Sequence, residues 1–123
     1  MDTLTKNKEF VLDYFEAISG KKKEAKEIDK YMDDDELKEH ILFFDTIFPK
    51  YELYADEITA ENNRVIVLGR LKGRHEGEMN GIPPTYKNVD FKFSIGYTID
   101  KGIIVDHWMI ADQAGLMEQL GVK

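Results

Sequence analysis

The chain has no cysteine, which excludes disulfides, thiolate metal ligands and thiol nucleophiles together. That absence suits a reducing compartment, and a cytoplasmic protein is expected. Only two serines occur, Ser19 and Ser94; neither stands in a nucleophile elbow, so a serine-hydrolase triad is not expected. No apolar run approaches the roughly 18 residues a membrane span needs, and the charged N-terminus lacks a signal-peptide core. Positive charge is scarce, with 17 Lys and Arg against 24 Asp and Glu for a formal charge of −7. Such a surface repels a phosphate backbone, and no basic stripe with interleaved aromatics offsets it, so nucleic acid is not a predicted partner. The cluster Lys21-Lys22-Lys23 is followed at once by Glu24 and Glu27 and reads as a solvated helix start, not a membrane patch. Gly77-x-x-x-Gly81 lacks the lysine and following helix of a phosphate loop. The three histidines, His40, His75 and His107, have no close pair in sequence, so no metal site is predicted.

What remains is a soluble globular composition, 42% hydrophobic and 33% charged over 123 residues. That length buries one core, so residues 1–123 are read as a single domain. Val11, Tyr14, Phe15 and Ile18 recur at helical spacing, with Asp2 or Thr3 to cap and Gly20 to stop. A second helix, about Lys22 to Tyr31, offers only Ile28 and Tyr31 for burial. Asp33-Asp34-Asp35 supplies cap oxygens, with Glu36 in capping-box position after Asp33, ahead of the stripe Leu37, Ile41, Phe44 and Phe48 that Pro49 ends. From there the period becomes two. Strands are predicted over Tyr51 to Thr59, Arg64 to Arg74, Val89 to Ile99 and Ile103 to Ala111, with turns at Asn62-Asn63 and Asp100-Lys101-Gly102. A closing helical turn runs from Gln113 to Leu120 before Gly121.

Three N-terminal helices followed by four sequential strands predict an α+β fold, the helices packed on one face of a mostly antiparallel sheet. Gly69, Gly73 and Gly96 let that sheet bend strongly. A bent sheet with helices across its mouth forms a cone, and the pocket at its open end is the default ligand site.

Several stretches together resemble a known family. His75-Glu76-Gly77, Gly81-Ile82-Pro83-Pro84-Thr85, a hydrophobic strand, Asp106-His107-Trp108 with Asp112 four residues beyond the tryptophan, and Leu120-Gly121-Val122 are similar to the SnoaL-like polyketide cyclase, or ester cyclase, family of the NTF2-like superfamily. The similarity spans about residues 64–122. It implies an NTF2-like cone, a homodimer through the convex sheet face, and a reaction that uses neither metal nor organic cofactor. It also implies that Asp112 is the general acid/base of an intramolecular aldol closure. Tyr86 stands where many relatives have glycine, which would narrow the pocket mouth.

The residues themselves nominate a site. Asp112 shares strand phase with Ile104, Trp108 and Ile110, which would set a carboxylate beside an indole in an apolar environment and raise its pKa toward the working pH. Capping the final helix is the other role open to it. His75 leaves its strand in phase with Val65, Val67, Gly69, Leu71 and Gly73. It either faces the pocket or holds the Pro83-Pro84 loop through backbone hydrogen bonds. Trp108, Ile110 and Phe93 are candidate cavity wall, Tyr14 and Tyr97 candidate phenol donors, and His40 a histidine that looks into the cone from the third helix. His107, in the opposite phase with Val105 and Met109, is expected to face solvent or a partner subunit.

Two functions fit. In one, a small cofactor-independent enzyme takes a proton α to a carbonyl of an apolar small molecule, as a cyclase, isomerase or lyase does. In the other, the same cone is a non-catalytic small-molecule-binding or dimerisation module.

Overall fold

In a computed structural model that describes residues 2–121, the elements run α1 (Thr3–Ile18), α2 (Ala25–Asp29), α3 (Asp35–Ile47), β1 (Glu52–Glu61), β2 (Arg64–Arg74), β3 (Asn88–Asp100), β4 (Ile103–Ala111) and α4 (Gln113–Leu120). Val122, the last residue of the closing motif, lies outside the described residues. The strands form one curved antiparallel sheet in the order β1-β2-β3-β4. Besides the three N-terminal helices there is a fourth, α4, whose Leu116 and Leu120 are buried; Gln119 clamps it to β3 by bonding both the N–H and the carbonyl of Asp90, at 2.7 and 2.8 Å.

Helices α1, α3 and α4 each begin where an aspartate takes up an orphan N–H group, whereas Glu24 ahead of α2 makes no side-chain cap bond. Asp2 accepts from the Thr5 amide. At α3 the cap is Asp34, accepting from the Leu37 amide at 3.0 Å, one residue later than the predicted Asp33. Asp33 instead donates its amide to the Ile104 carbonyl at 2.7 Å, tying the segment before α3 to β4. The second helix is five residues, shorter than predicted. Residues 21–24 lie outside the helix, and Lys23 turns inward there: its ammonium donates to the carbonyls of Lys21 and Tyr51 at 2.7 and 2.8 Å and rests 3.9 Å from the Tyr51 ring centroid. Burial lowers the Lys23 pKa to about 8, against the pull of Asp45.

The core sits between the helices and the concave face of the sheet. Val11, Tyr14, Phe15 and Ile18 of α1 and Leu37, Ile41 and Ile47 of α3 are buried there, against Val65, Val67 and Leu71 of β2 and Phe91, Phe93, Ile95 and Tyr97 of β3. Gly69, opposite Phe93 in the register, leaves no empty space on this face, because a Cβ there would strike the Tyr54 carbonyl and the Phe93 ring.

One irregularity in β4 decides what faces inward. Thr98 pairs with Asp106, but Ile99 pairs with Ile104, so Val105 is an extra, unpaired residue. A bulge of one residue reverses the alternation beyond it. Ile104 is fully buried, yet Trp108 and Ile110, which strict alternation puts on its side, are 44% and 69% exposed on the convex face. The Trp108 indole lies across Gly96, where any Cβ would collide with it. The expectation that Trp108, Ile110 and Asp112 line the cone therefore fails, and His107, Met109 and Ala111 take the inward phase.

Candidate functional site

The concave face, α1, α3 and the start of α4 enclose a cavity of about 210 Å³. Its wall is mostly aromatic and aliphatic, and among the described residues no Asp, Glu, Lys or Arg lines it. Its polar lining residues are Tyr14, His40, Tyr51, Asn80, Tyr97 and Gln113. Of these Asn80 and Gln113 are exposed, as are Phe43 and Met109, and they mark the side open to solvent. Tyr14 and Tyr97 are buried. Phe93 also lines the cavity.

The inner wall is an interlocked aromatic set. Tyr14 meets Tyr97 edge-on, ring centroids 6.0 Å apart at 89°, and Phe15 meets Tyr97 at 6.4 Å and 83°, arrangements that suit the ring quadrupoles. Burial first, and then Tyr97, raises the Tyr14 pKa well above its ordinary 10. Tyr97 is raised well above 10 as well, by burial and by Tyr51. A hydrogen bond between the two hydroxyls, Tyr14 donating, adds to the Tyr14 shift and opposes that of Tyr97, so both phenols are protonated across the physiological range and the Tyr97 hydroxyl keeps its own proton to donate.

His40, half-buried on α3, stacks against Phe44 with centroids 4.3 Å apart. Burial lowers its pKa below the ordinary 6.5, helped by the like charge of His107 and opposed by Glu36. The imidazole is thus neutral at pH 7 and free to accept a proton. His107 lies opposite Tyr97 in the register, and its Nδ1 donates to Asp34 Oδ2 at 2.6 Å. Its inward position corrects the expectation that it faces solvent or a partner. One carboxylate thus caps α3 with Oδ1 and orients an imidazole with Oδ2.

The two predicted catalytic residues are elsewhere. Asp112 is exposed; its Oδ1 accepts from the Gly115 amide at 2.9 Å, so it caps α4 and does not meet the cavity. His75 is fully buried outside the cavity wall, packed against Phe48. Its Nδ1 accepts from the Thr85 amide at 3.1 Å and contacts Thr85 Oγ1 at 3.0 Å, latching the Pro83-Pro84 loop to the end of β2. Tyr86 is exposed, under the Arg74 guanidinium, and does not narrow the mouth. A cation has one cluster to consider among the described residues, since ligand atoms of Asp34, Asp106 and His107 lie within 4.8 Å of one another. The Asp34 oxygens there are already engaged by an N–H of α3 and by His107, and a helix N-terminus favours anions over cations.

An α+β cone with helices over a curved antiparallel sheet and an apolar cavity on the concave side defines the NTF2-like class. The SnoaL-like polyketide cyclase family matches residues 21–120, and the chain belongs to that family. No curated protein matches its sequence significantly. Solved structures share the fold at low identity. A protein of Jannaschia sp. CCS1 assigned as a SnoaL-like polyketide cyclase is 20% identical with TM-score 0.85, covering 100% of this chain and 96% of that one. TsrD from Streptomyces laurentii is 18% identical with TM-score 0.84, covering 100% and 99%. A SnoaL-like polyketide cyclase from Agrobacterium tumefaciens is 16% identical with TM-score 0.78, covering 98% and 100%. No described helix is long and apolar enough to cross a membrane.

Proposed function

We propose that the protein is a small cofactor-independent enzyme that performs general acid/base chemistry α to a carbonyl of an apolar small molecule, as a cyclase, isomerase or lyase, in the cytoplasm that its lack of cysteine suits. The observation that carries the reading is a neutral imidazole, His40, in the wall of a cavity that also holds the protonated phenols of Tyr14 and Tyr97. His40 takes the α proton, Tyr97, backed by the Tyr14 hydroxyl, donates a hydrogen bond to the developing enolate oxygen, and the imidazolium returns the proton to carbon or oxygen of the product. His107, fixed by Asp34, stands near His40 and keeps its proton affinity low. The polyketide cyclases among the structural relatives support carbon acid chemistry, although Asp112 is not the base in this arrangement.

Exchange of α protons into deuterated water, followed by NMR on a simple ketone, tests the proposal and separates it from a binding module without turnover. A general base acts only when deprotonated. The protein-dependent rate is expected to rise with pH through a midpoint below 6.5, the side to which His40 is shifted, and to level off by neutrality. Absence of protein-dependent exchange at every pH leaves the binding module.

We also infer a homodimer through the convex sheet face. Leu68 and Ile110 are 45% and 69% exposed there and lie level across Ser94, and Ile66 and Trp108 lie level across Gly96. An apolar strip of this kind on an otherwise charged surface supports self-association. Light scattering at micromolar concentration is expected to give twice the chain mass; a monomer there refutes the pairing.

A further inference from the structure

The dimensions and charge of the cavity narrow the ligand class further, an inference that rests on the carbonyl chemistry proposed above. A dry cavity of about 150 Å³ lined by Leu, Ile and Phe accommodates benzene. At about 210 Å³ this one has room for a single ring with a two- or three-atom substituent. It cannot deepen cheaply. The inner wall is the mutually packed set Tyr14, Phe15, Phe93 and Tyr97, with ring centroids 5.7 to 6.5 Å apart, so enlargement would have to separate aromatic contacts that already fill rotamer-defined space.

Charge narrows the class again. A bound anion would need a counterion or several donors to offset its lost hydration, and among the described residues no Lys or Arg lines the cavity. Lys23 does not serve. Its ammonium is fully buried against the Tyr51 ring and is already engaged by two backbone carbonyls. The Tyr97 phenol, with Tyr14 donating to its oxygen, asks for a neutral acceptor, which a ketone, aldehyde or ester oxygen provides.

We propose that the enclosed part of the ligand is a neutral, single-ring carbonyl compound of about nine heavy atoms, neither a carboxylate or phosphate nor a fused polycyclic skeleton. The test uses the full chain at pH 8 and three probes, with binding followed by calorimetry: acetophenone, benzoate as its charged counterpart of the same shape, and 1-pyrenecarboxaldehyde as a four-ring aldehyde. Acetophenone is expected to bind at least about tenfold more tightly than benzoate, and the pyrene aldehyde not to displace it. Tyr97→Phe is expected to weaken acetophenone by about fivefold to tenfold through the lost hydrogen bond. Equal affinity for benzoate, displacement by the pyrene aldehyde, or no acetophenone binding each overturns the size and charge assignment, whatever the variant does. The outcomes separate from those of the acid/base proposal. Selective acetophenone binding without α-proton exchange removes the base and keeps the ligand class. Exchange on polycyclic ketones alone keeps the base and removes the ligand class.

Discussion

Asp34 serves two unlike partners with one carboxylate, and substitutions there separate them. Oδ1 caps α3 through the Leu37 amide and Oδ2 holds His107, with the Asp34 side chain 8% exposed. Asp34→Asn keeps an oxygen for the cap and loses only the charge-assisted bond to the imidazole. Asp34→Ala loses both. Denaturant unfolding is expected to show a loss of about 1 kcal/mol for the asparagine and about 2 to 3 kcal/mol for the alanine. No loss for the asparagine would mean that the His107 bond contributes nothing, and equal losses that the cap contributes nothing. Asp112, by contrast, is a cap alone, and its carboxylate sits in solvent. Sequence reasoning saw both of its open roles, and the structure selects the cap. At His75 the roles were likewise open, and the histidine went to the loop latch because Thr85 presents its amide to Nδ1.

At the scale of elements, the strands and their turns were legible because alternation of apolar and polar residues is a local property. β2 begins and ends at the predicted Arg64 and Arg74, and α4 spans the predicted Gln113 to Leu120. The faces of β4 were not legible past residue 104. Val105 enters the strand as an extra residue, and nothing in its chemistry announces that it will be skipped in the pairing. Counting by twos then carries every later side chain to the wrong face, which misplaced Trp108, Ile110 and His107. A signal was available in Gly96, whose missing side chain on the convex face accepts the Trp108 indole. Trp108 is the sole tryptophan, so the arrangement can be read by fluorescence. Gly96→Val must push the indole off the sheet, and acrylamide quenching is expected to rise, together with a loss of about 1 to 3 kcal/mol in stability. Unchanged emission and quenching would mean that the indole does not lie there.

At the scale of the whole molecule, charge and cavity are segregated. A chain with 41 charged residues (17 basic plus 24 acidic) keeps all of them out of its cavity wall among the described residues. The polar groups of that wall are one neutral imidazole, phenols held in their protonated form, and the amides of Asn80 and Gln113 on the side open to solvent. The sequence announced the cone and its family, and His40, Tyr14, Tyr97 and Phe93 do line the cavity. It did not announce that the acid near the tail looks outward, because that depends on pairing across β3 and β4. The sharpest check compares two variants in the α-proton exchange assay on a single-ring ketone at pH 7. If the base is His40, His40→Gln lowers the protein-dependent rate by about 100-fold or more, the usual range for removal of a general base, while Asp112→Ala leaves it within about twofold and costs only about 1 kcal/mol of helix-cap stability. The opposite pattern, exchange lost with Asp112→Ala and kept with His40→Gln, would contradict the assignment outright.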